Sequence, residues 1–148
     1  MKLDLGSGYR HPEGFVTLDI REKCKPDIVC DLTNGLPFQD SSIEYIRAHD
    51  VLEHIPIGKT IFIMEEIYRV LKPMGTLDVA VPSTEGNGAF CDPYHVSFWN
   101  RISFDYYTKD ICRNLYGIKA KFAGHVENYF ANIPDRILYV VGKLKAIK

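Results

Sequence analysis

The sequence predicts an α/β fold with a Rossmann-like, mostly parallel sheet and a C-terminal antiparallel hairpin, arranged as a three-layer sandwich. Three observations support this prediction. Short apolar segments follow one another, each closed by glycine, proline or aspartate, as buried parallel strands usually are. An amphipathic helix stands between two of them. The chain closes with two longer segments of strand character.

Five segments are predicted to form the parallel strands. In chain order they are Lys2–Leu5, Phe15–Ile20, Asp27–Cys30, Ile43–Ala48 and Thr76–Val81. Only nine residues, Gly6 to Gly14, separate the first two, whereas a parallel crossover normally takes a dozen or more. Either the first crossover helix has shrunk to about one turn, or these two strands pair in another way.

One helix is predicted over Lys59–Leu71, because apolar side chains recur there at helical spacing while Glu66 and Arg69 fall on the opposite side. The segment Lys72-Pro73-Met74-Gly75 ends this helix with a cation, a proline and a glycine.

The C-terminal half is predicted to carry one more helix and the hairpin. Residues 84–100 have the composition of a loop, and Ser103–Tyr116 is predicted to be helical. Ile118–Tyr129 and Arg136–Ile147 are predicted to be antiparallel strands, joined by a turn around residues 132–135.

Length and composition indicate a single domain over residues 1–148. The chain has 18 Lys and Arg residues against 19 Asp and Glu, so it has no basic field and nucleic acid is not expected as a main partner. Its apolar stretches are too short for a transmembrane helix. Met1–Leu5 carries an acid where a signal peptide needs its apolar core. We therefore expect a cytoplasmic protein without a membrane partner.

The cysteines form no Cys-x-x-Cys pair and are expected to be reduced thiols. Of the residues that commonly bind zinc, Cys91, Asp92 and His95 lie close together in sequence, which falls short of four ligands. The sequence therefore predicts no metal site.

Polar residues follow the predicted strands at the edge where open α/β sheets bind ligands. They are Gly6-Ser7-Gly8, Asp19, Asp31, His49-Asp50 and Pro82-Ser83. The glycines permit a tight turn and a close approach of the ligand to the backbone. An acid one strand later is placed to accept two hydrogen bonds from ribose hydroxyls, and the next acid can accept from an adenine amino group. A turn or a helix cap explains each of these residues singly, but not their succession at strand ends.

In this order the motifs resemble those of the class I S-adenosylmethionine-dependent methyltransferases. Leu3–Gly8 looks like the glycine motif of that family, and Asp19-Ile20 matches its ribose-binding acid and the apolar residue beside the adenine. Asp31-Leu32 resembles the segment that reads the adenine edge. Asp50–Ile55 and Glu66–Gly75 look like the motif after the fourth strand and the helix and turn before the fifth.

The resemblance implies S-adenosylmethionine as the cofactor. The residues it implies for cofactor binding are Asp4, Gly6, Ser7, Gly8, Asp19, Ile20, Asp31, Leu32 and His49, the last near the methionine half. The short first connection is similar to that of a compact subgroup with a shortened first helix and without the N-terminal helices that often cover the cofactor. We predict parallel pairing of the first two strands, because the glycine loop and Asp19 must face one ligand.

A loop after the fifth strand carries the candidate catalytic residues. Asp92 can orient His95, and a neutral imidazole at position 95 can take a proton from an acceptor hydroxyl during methyl transfer. The alternative is structural: Asp92-Pro93 starts a turn, and His95 donates to a backbone carbonyl under Trp99.

The function predicted is methyl transfer from S-adenosylmethionine to a small-molecule or sugar-linked acceptor. The sugar is implied by compact relatives that are often associated with cell-surface glycan synthesis. A non-catalytic S-adenosylmethionine- or nucleoside-binding module that acts as a partner subunit is the alternative, and a homo-oligomer stays open. A nicotinamide-dependent oxidoreductase is disfavoured, because His11 stands where the third glycine of Gly-x-Gly-x-x-Gly belongs.

Overall fold

The computed structural model describes residues 1–131 and 137–148, and these residues form one seven-stranded sheet. The strands are β1 Lys2–Leu5, β2 Val16–Asp19, β3 Ile28–Val29, β4 Ile43–His49, β5 Leu71–Pro82, β6 Phe122–Phe130 and β7 Leu138–Ala146. Their order across the sheet is β3-β2-β1-β4-β5-β7-β6. Strands β1 to β5 run parallel, and β7 pairs antiparallel with both β5 and β6. The predicted Rossmann-like α/β fold is confirmed; the turn predicted around residues 132–135 lies outside the described residues.

The short connection between β1 and β2 does not prevent parallel pairing. Leu3 pairs with Val16 and Leu5 with Leu18, in parallel register. The described residues between the two strands form turns instead of a helix. The prediction of a parallel pair is therefore confirmed, and the crossover helix has been replaced by a loop.

The longest helix, α1 Thr60–Val70, agrees with the predicted segment to within one residue at each end. It buries Ile63, Met64, Ile67 and Val70. These side chains pack against the apolar side chains of one sheet face. That face includes Leu3, Leu5, Leu18, Ile46, Leu77 and Val79. Burial of such side chains is the main term that holds the helix on the sheet.

Strand β5 begins earlier than predicted. Leu71 pairs with Ile43, but the next pair is Thr76 with Tyr45, so residues 72–75 bulge out of the ladder. Met74 takes a left-handed φ of 62° in this bulge, a conformation that glycine adopts more readily. The predicted helix stop is thus also the entry to the strand.

The connection from β5 to β6 contains short helices, α2 Gly88–Cys91, α3 Asp105–Thr108 and α4 Asp110–Tyr116. The helix predicted over 103–116 is therefore two helices, because Lys109 between them has extended dihedrals. A capping box of Asn100 and Ser103 starts the segment.

The opposite face of the sheet carries polar side chains, among them Asp4, Arg47 and Asp78, which are neighbours in the strand register. Phe15 packs there against Tyr45, with ring centroids 5.9 Å apart, and the Arg47 guanidinium lies 4.9 Å from the Phe15 centroid. Within the described part of the chain, no helix has the length and apolar character needed to cross a bilayer.

Candidate functional site

The glycine loop lies at the carboxyl end of β1 and is fixed by its neighbours. Gly6 and Gly8 have φ values of 59° and 56°, where side chains are disfavoured. A Cβ at Gly6 would lie 2.5 Å from Cγ2 of Val51, so a larger residue does not fit. The Ser7 amide donates to the Leu18 carbonyl at 3.0 Å, which ties the loop to β2.

Asp19 stands beside this loop, and its side chain is buried. Its two carboxylate oxygens accept hydrogen bonds from the amides of Gly8 and Arg21, each at 2.8 Å. The Arg21 guanidinium donates to the same oxygens at 3.1 and 3.3 Å. Burial alone would raise the pKa of Asp19, but these hydrogen bonds outweigh burial and lower it. Asp19 is therefore a fixed, ionised hydrogen-bond acceptor.

The Arg21 side chain occupies the outer positions of that carboxylate. It is half exposed, whereas the two backbone donors are built into the loop. A ribose diol that binds Asp19 would displace Arg21 and leave the backbone contacts in place. Ile20, next to Asp19, is 62% exposed, which suits an apolar residue that packs on an adenine ring.

Asp31 and Leu32 follow β3 and begin a 3₁₀ turn. Asp31 caps this turn by accepting from the Thr33 amide at 2.9 Å and from the Thr33 hydroxyl at 2.8 Å. The Leu32 side chain is buried in the core. Of the two residues predicted to read the adenine edge, Leu32 therefore offers only its backbone to a ligand.

Asp4 is fully buried and paired inside the protein. Arg47 on β4 donates to both of its oxygens, at 2.8 and 2.6 Å. Arg10 lies 3.8 Å from Asp4 and donates to the His49 carbonyl oxygen at 3.1 Å, so it bridges the ends of β1 and β4. Asp4, which was predicted to bind the cofactor, is therefore buried and paired with Arg47 inside the protein.

His49 is also engaged with the protein. Its Nε2 lies 3.0 Å from Asp78 on β5, and the Tyr45 hydroxyl donates to the other oxygen of Asp78. Burial, followed by the contact with Asp78, raises the pKa of Tyr45. Sequence reasoning did not single out Asp78 and Arg47, because their contacts with His49 and Asp4 join different strands and belong to no local motif.

The turn after β4 brings a buried carboxyl group next to the candidate catalytic loop. Glu53 has a side chain that is 2% exposed, and burial, aided by the negative charges of Asp50 and Asp92, raises its pKa to about 8. Its carbonyl oxygen accepts from the amides of Val96 and Ser97 at 2.9 and 3.0 Å. The loop after β5 is therefore attached to the end of β4.

His95 points toward this turn. Its Nδ1 donates to the Ala89 carbonyl oxygen at 3.0 Å, and its Nε2 lies 3.9 Å from Asp92 and 4.0 Å from Glu53. The hydrogen bond that orients His95 thus comes from Ala89 and not, as expected, from Asp92. Asp92 instead accepts from the Tyr94 amide at 2.8 Å, so the turn at Asp92-Pro93 is present as well.

Glu53 and His54 were not among the site residues that the sequence predicted. The available signal was an acid between apolar residues, Leu52-Glu53-His54-Ile55, which places a carboxyl group in a buried turn. The His54 ring stands nearly perpendicular to the His95 ring, with centroids 5.0 Å apart. The two histidines and Glu53 therefore form one cluster.

Comparison with known proteins agrees with the fold. A family model described as a methyltransferase domain matches residues 13–79. The fold is similar to that of an S-adenosylmethionine-dependent methyltransferase from Archaeoglobus fulgidus, at 13% identity and a TM-score of 0.71. The match covers 99% of this chain and 85% of that protein. No curated protein matches the sequence.

Two further solved structures share the fold. One is a 1,6-didemethyltoxoflavin-N1-methyltransferase from Burkholderia thailandensis with bound S-adenosylhomocysteine, at 12% identity and a TM-score of 0.62, with 99% and 71% of the two chains covered. The other is the [4+2]-cyclase SpnF, at 15% identity and a TM-score of 0.71, with 99% and 74% covered.

The fold is that of the Rossmann-like class to which these methyltransferase structures belong. The chain is similar to class I S-adenosylmethionine-dependent methyltransferases in residues 13–79 and in its fold, and S-adenosylmethionine is the cofactor that this similarity indicates. The residues fit this cofactor, because Gly6 and Gly8 form a tight turn at positive φ and an ionised acid with an exposed apolar neighbour stands beside it.

Proposed function

We propose that this protein transfers the methyl group of S-adenosylmethionine to a small-molecule acceptor, with a sugar-linked hydroxyl as the first class to test. The observation that carries this proposal is the attachment of the His95 loop to the turn after β4, through the two hydrogen bonds to Glu53. In open α/β sheets the ligand lies beyond the carboxyl ends of the strands, so this loop would stand on the acceptor side of the cofactor.

In this proposal the glycine loop and Asp19 hold the nucleoside. Asp19 would accept from the ribose hydroxyls after Arg21 moves aside, and Ile20 would pack on the adenine. Asp31 and the backbone of Leu32 would face the adenine edge, and His49 would lie near the methionine half. Because the loop is prebuilt by backbone hydrogen bonds, binding would require the ordering of few groups.

S-adenosylmethionine supplies a methyl group on a sulfonium sulfur, and the electron pair of the broken carbon–sulfur bond stays on sulfur. The chain has to align an acceptor oxygen with that methyl group. His95 Nε2 is the basic ring nitrogen, because Nδ1 donates to the Ala89 carbonyl. It would take the proton of the acceptor hydroxyl, and the carboxylate of Asp92 would stabilise the imidazolium formed.

A second candidate is a cofactor-binding module without methyl transfer. Likeness to the [4+2]-cyclase SpnF supports keeping it, because that protein shares the fold and is described by a different reaction. Such a module would bind S-adenosylhomocysteine but methylate nothing.

The test combines a binding measurement with a turnover measurement. Calorimetry with S-adenosylhomocysteine reports the cofactor site, and labelled S-adenosylmethionine with a panel of sugar-linked and other hydroxyl acceptors reports turnover. Label transfer that is lost in His95→Ala supports the first candidate, and binding without transfer across the panel supports the second. Failure to bind S-adenosylhomocysteine contradicts both.

A further inference from the structure

Glu53, His54 and His95 come together from two segments that are far apart along the chain. One ring nitrogen of each histidine and one carboxylate oxygen of Glu53 all lie within 4.8 Å of one another. The hydrogen bonds from the Val96 and Ser97 amides to the Glu53 carbonyl hold the segments in this arrangement. The cluster is thus fixed by backbone contacts as well as by its own side chains.

Both histidines direct Nδ1 toward a backbone carbonyl. Nδ1 of His54 lies 3.1 Å from the Tyr94 carbonyl oxygen, and Nδ1 of His95 lies 3.0 Å from that of Ala89. A carbonyl oxygen only accepts, so Nδ1 carries the proton in each neutral ring and Nε2 keeps its lone pair. Histidines that bind metal ions show the same arrangement, in which the second nitrogen donates to a carbonyl or carboxylate.

Glu53 provides the second, independent observation. Its side chain is 2% exposed, and among the described residues its Oε2 atom has no hydrogen-bond partner. Such a buried polar atom requires an explanation. Its Oε1 atom lies 4.0 Å from Nε2 of His95, beyond hydrogen-bonding distance. The Asp92 carboxylate lies 3.9 Å from Nε2 of His95, and a negative group at this distance favours a cation.

We propose that Glu53, His54 and His95 bind a divalent first-row transition-metal ion, with zinc as the simplest case. Two imidazoles and a carboxylate are a donor set that such ions accept, and three protein ligands leave a coordination position open. Ligand atoms of a tetrahedral zinc ion lie roughly 3.4 Å apart at bond lengths of about 2.0–2.1 Å. The three side chains would have to rotate toward one another on metal binding, because the observed separations are up to 4.8 Å. His54 is exposed and gives the ion access from solvent.

This inference does not depend on methyl transfer, because it concerns what the chain binds by itself. It replaces the expectation of no metal, which considered only ligands adjacent in sequence. It also gives His95 another role: a metal-bound Nε2 cannot take a proton. In the loaded protein the ion would instead hold the acceptor oxygen and lower the pKa of its hydroxyl.

The test is a metal titration of the full chain after treatment with a chelator, without S-adenosylmethionine. Zn²⁺ binding is followed by calorimetry, and Co²⁺ binding by visible absorption. We expect one ion per chain and a loss of affinity of about tenfold or more in His54→Ala and in Glu53→Gln. His125→Ala is the matched control, because His125 is an exposed histidine on β6. The His125→Ala variant should bind Zn²⁺ as tightly as the unchanged chain.

The Co²⁺ spectrum and one more variant separate this site from a thiol site. Cys91 is exposed, so Cys91→Ser must bind as tightly as the unchanged chain, and no thiolate charge-transfer band should arise. Circular dichroism shows whether each variant is folded; His54 is exposed, so His54→Ala is informative even if Glu53→Gln unfolds. Absent binding, or equal binding by folded His54→Ala, overturns the proposal. Either result leaves the methyltransferase proposal to its own S-adenosylhomocysteine test.

Discussion

Replacing Asp19 by alanine tests the cofactor site directly. The carboxylate is ionised, and it is aimed by hydrogen bonds of 2.8 Å from the amides of Gly8 and Arg21. The substitution removes the acceptor for the ribose hydroxyls. Hydrogen bonds to a charged group contribute about 2–3 kcal/mol here, which corresponds to a loss of affinity of about 30- to 150-fold.

The same substitution has a second, separable effect. It leaves the amides of Gly8 and Arg21 without their acceptor, so the free energy of unfolding should fall by about 1–3 kcal/mol. Asp27→Ala is the matched control. Asp27 accepts from the Thr17 amide and the Thr17 hydroxyl, both at 2.8 Å. Thr17 lies on β2, like Asp19, but within the strand and away from the glycine loop.

The assay is calorimetry with S-adenosylhomocysteine, together with urea unfolding of each variant. Both variants should lose stability, but Asp19→Ala alone should lose affinity. Wild-type affinity in Asp19→Ala, or equal weakening in the two variants, would show that Asp19 does not bind the ribose.

Three further predictions follow from the same region. Gly6→Ala places a Cβ 2.5 Å from Val51 at a φ of 59°, so the free energy of unfolding of this variant should fall by more than the roughly 1–2 kcal/mol that a left-handed backbone costs. Gly14 has a φ of 78° and open space around it, so Gly14→Ala should show only that backbone cost in urea unfolding. Because the pKa of Asp19 is lowered in the fold, Asp19 stabilises the protein at pH values above the ordinary aspartate pKa of about 4, and this stability is lost as pH falls through the lowered pKa. The free energy of unfolding, measured by urea unfolding across this pH range, should therefore depend less on pH in Asp19→Ala. His95→Ala should lower kcat by about 10²–10⁴ with little change in cofactor affinity if His95 acts as the base, whereas a purely structural His95 would show mainly a stability loss of about 1–3 kcal/mol.

Local patterns were sufficient for the strands of the parallel sheet and for α1. Apolar periodicity and the residues that close a segment depend on neighbours within a few positions, so α1 agrees to within one residue at each end. Element boundaries were less well predicted where tertiary contacts set them. The bulge at residues 72–75 exists because Leu71 pairs with Ile43 before the main register begins. The break at Lys109 has no signal in the pattern.

The order of strand-end motifs by itself predicted the fold and the edge at which a ligand is expected, because parallel strands bring their carboxyl ends to one edge whatever their exact register. Gly6, Gly8, Asp19 and Ile20 meet there as the sequence predicted. Only the tertiary structure set Glu53 and His54 beside His95. Those contacts join separate segments through backbone hydrogen bonds and burial, which depend on three-dimensional packing and leave no periodic trace in the chain.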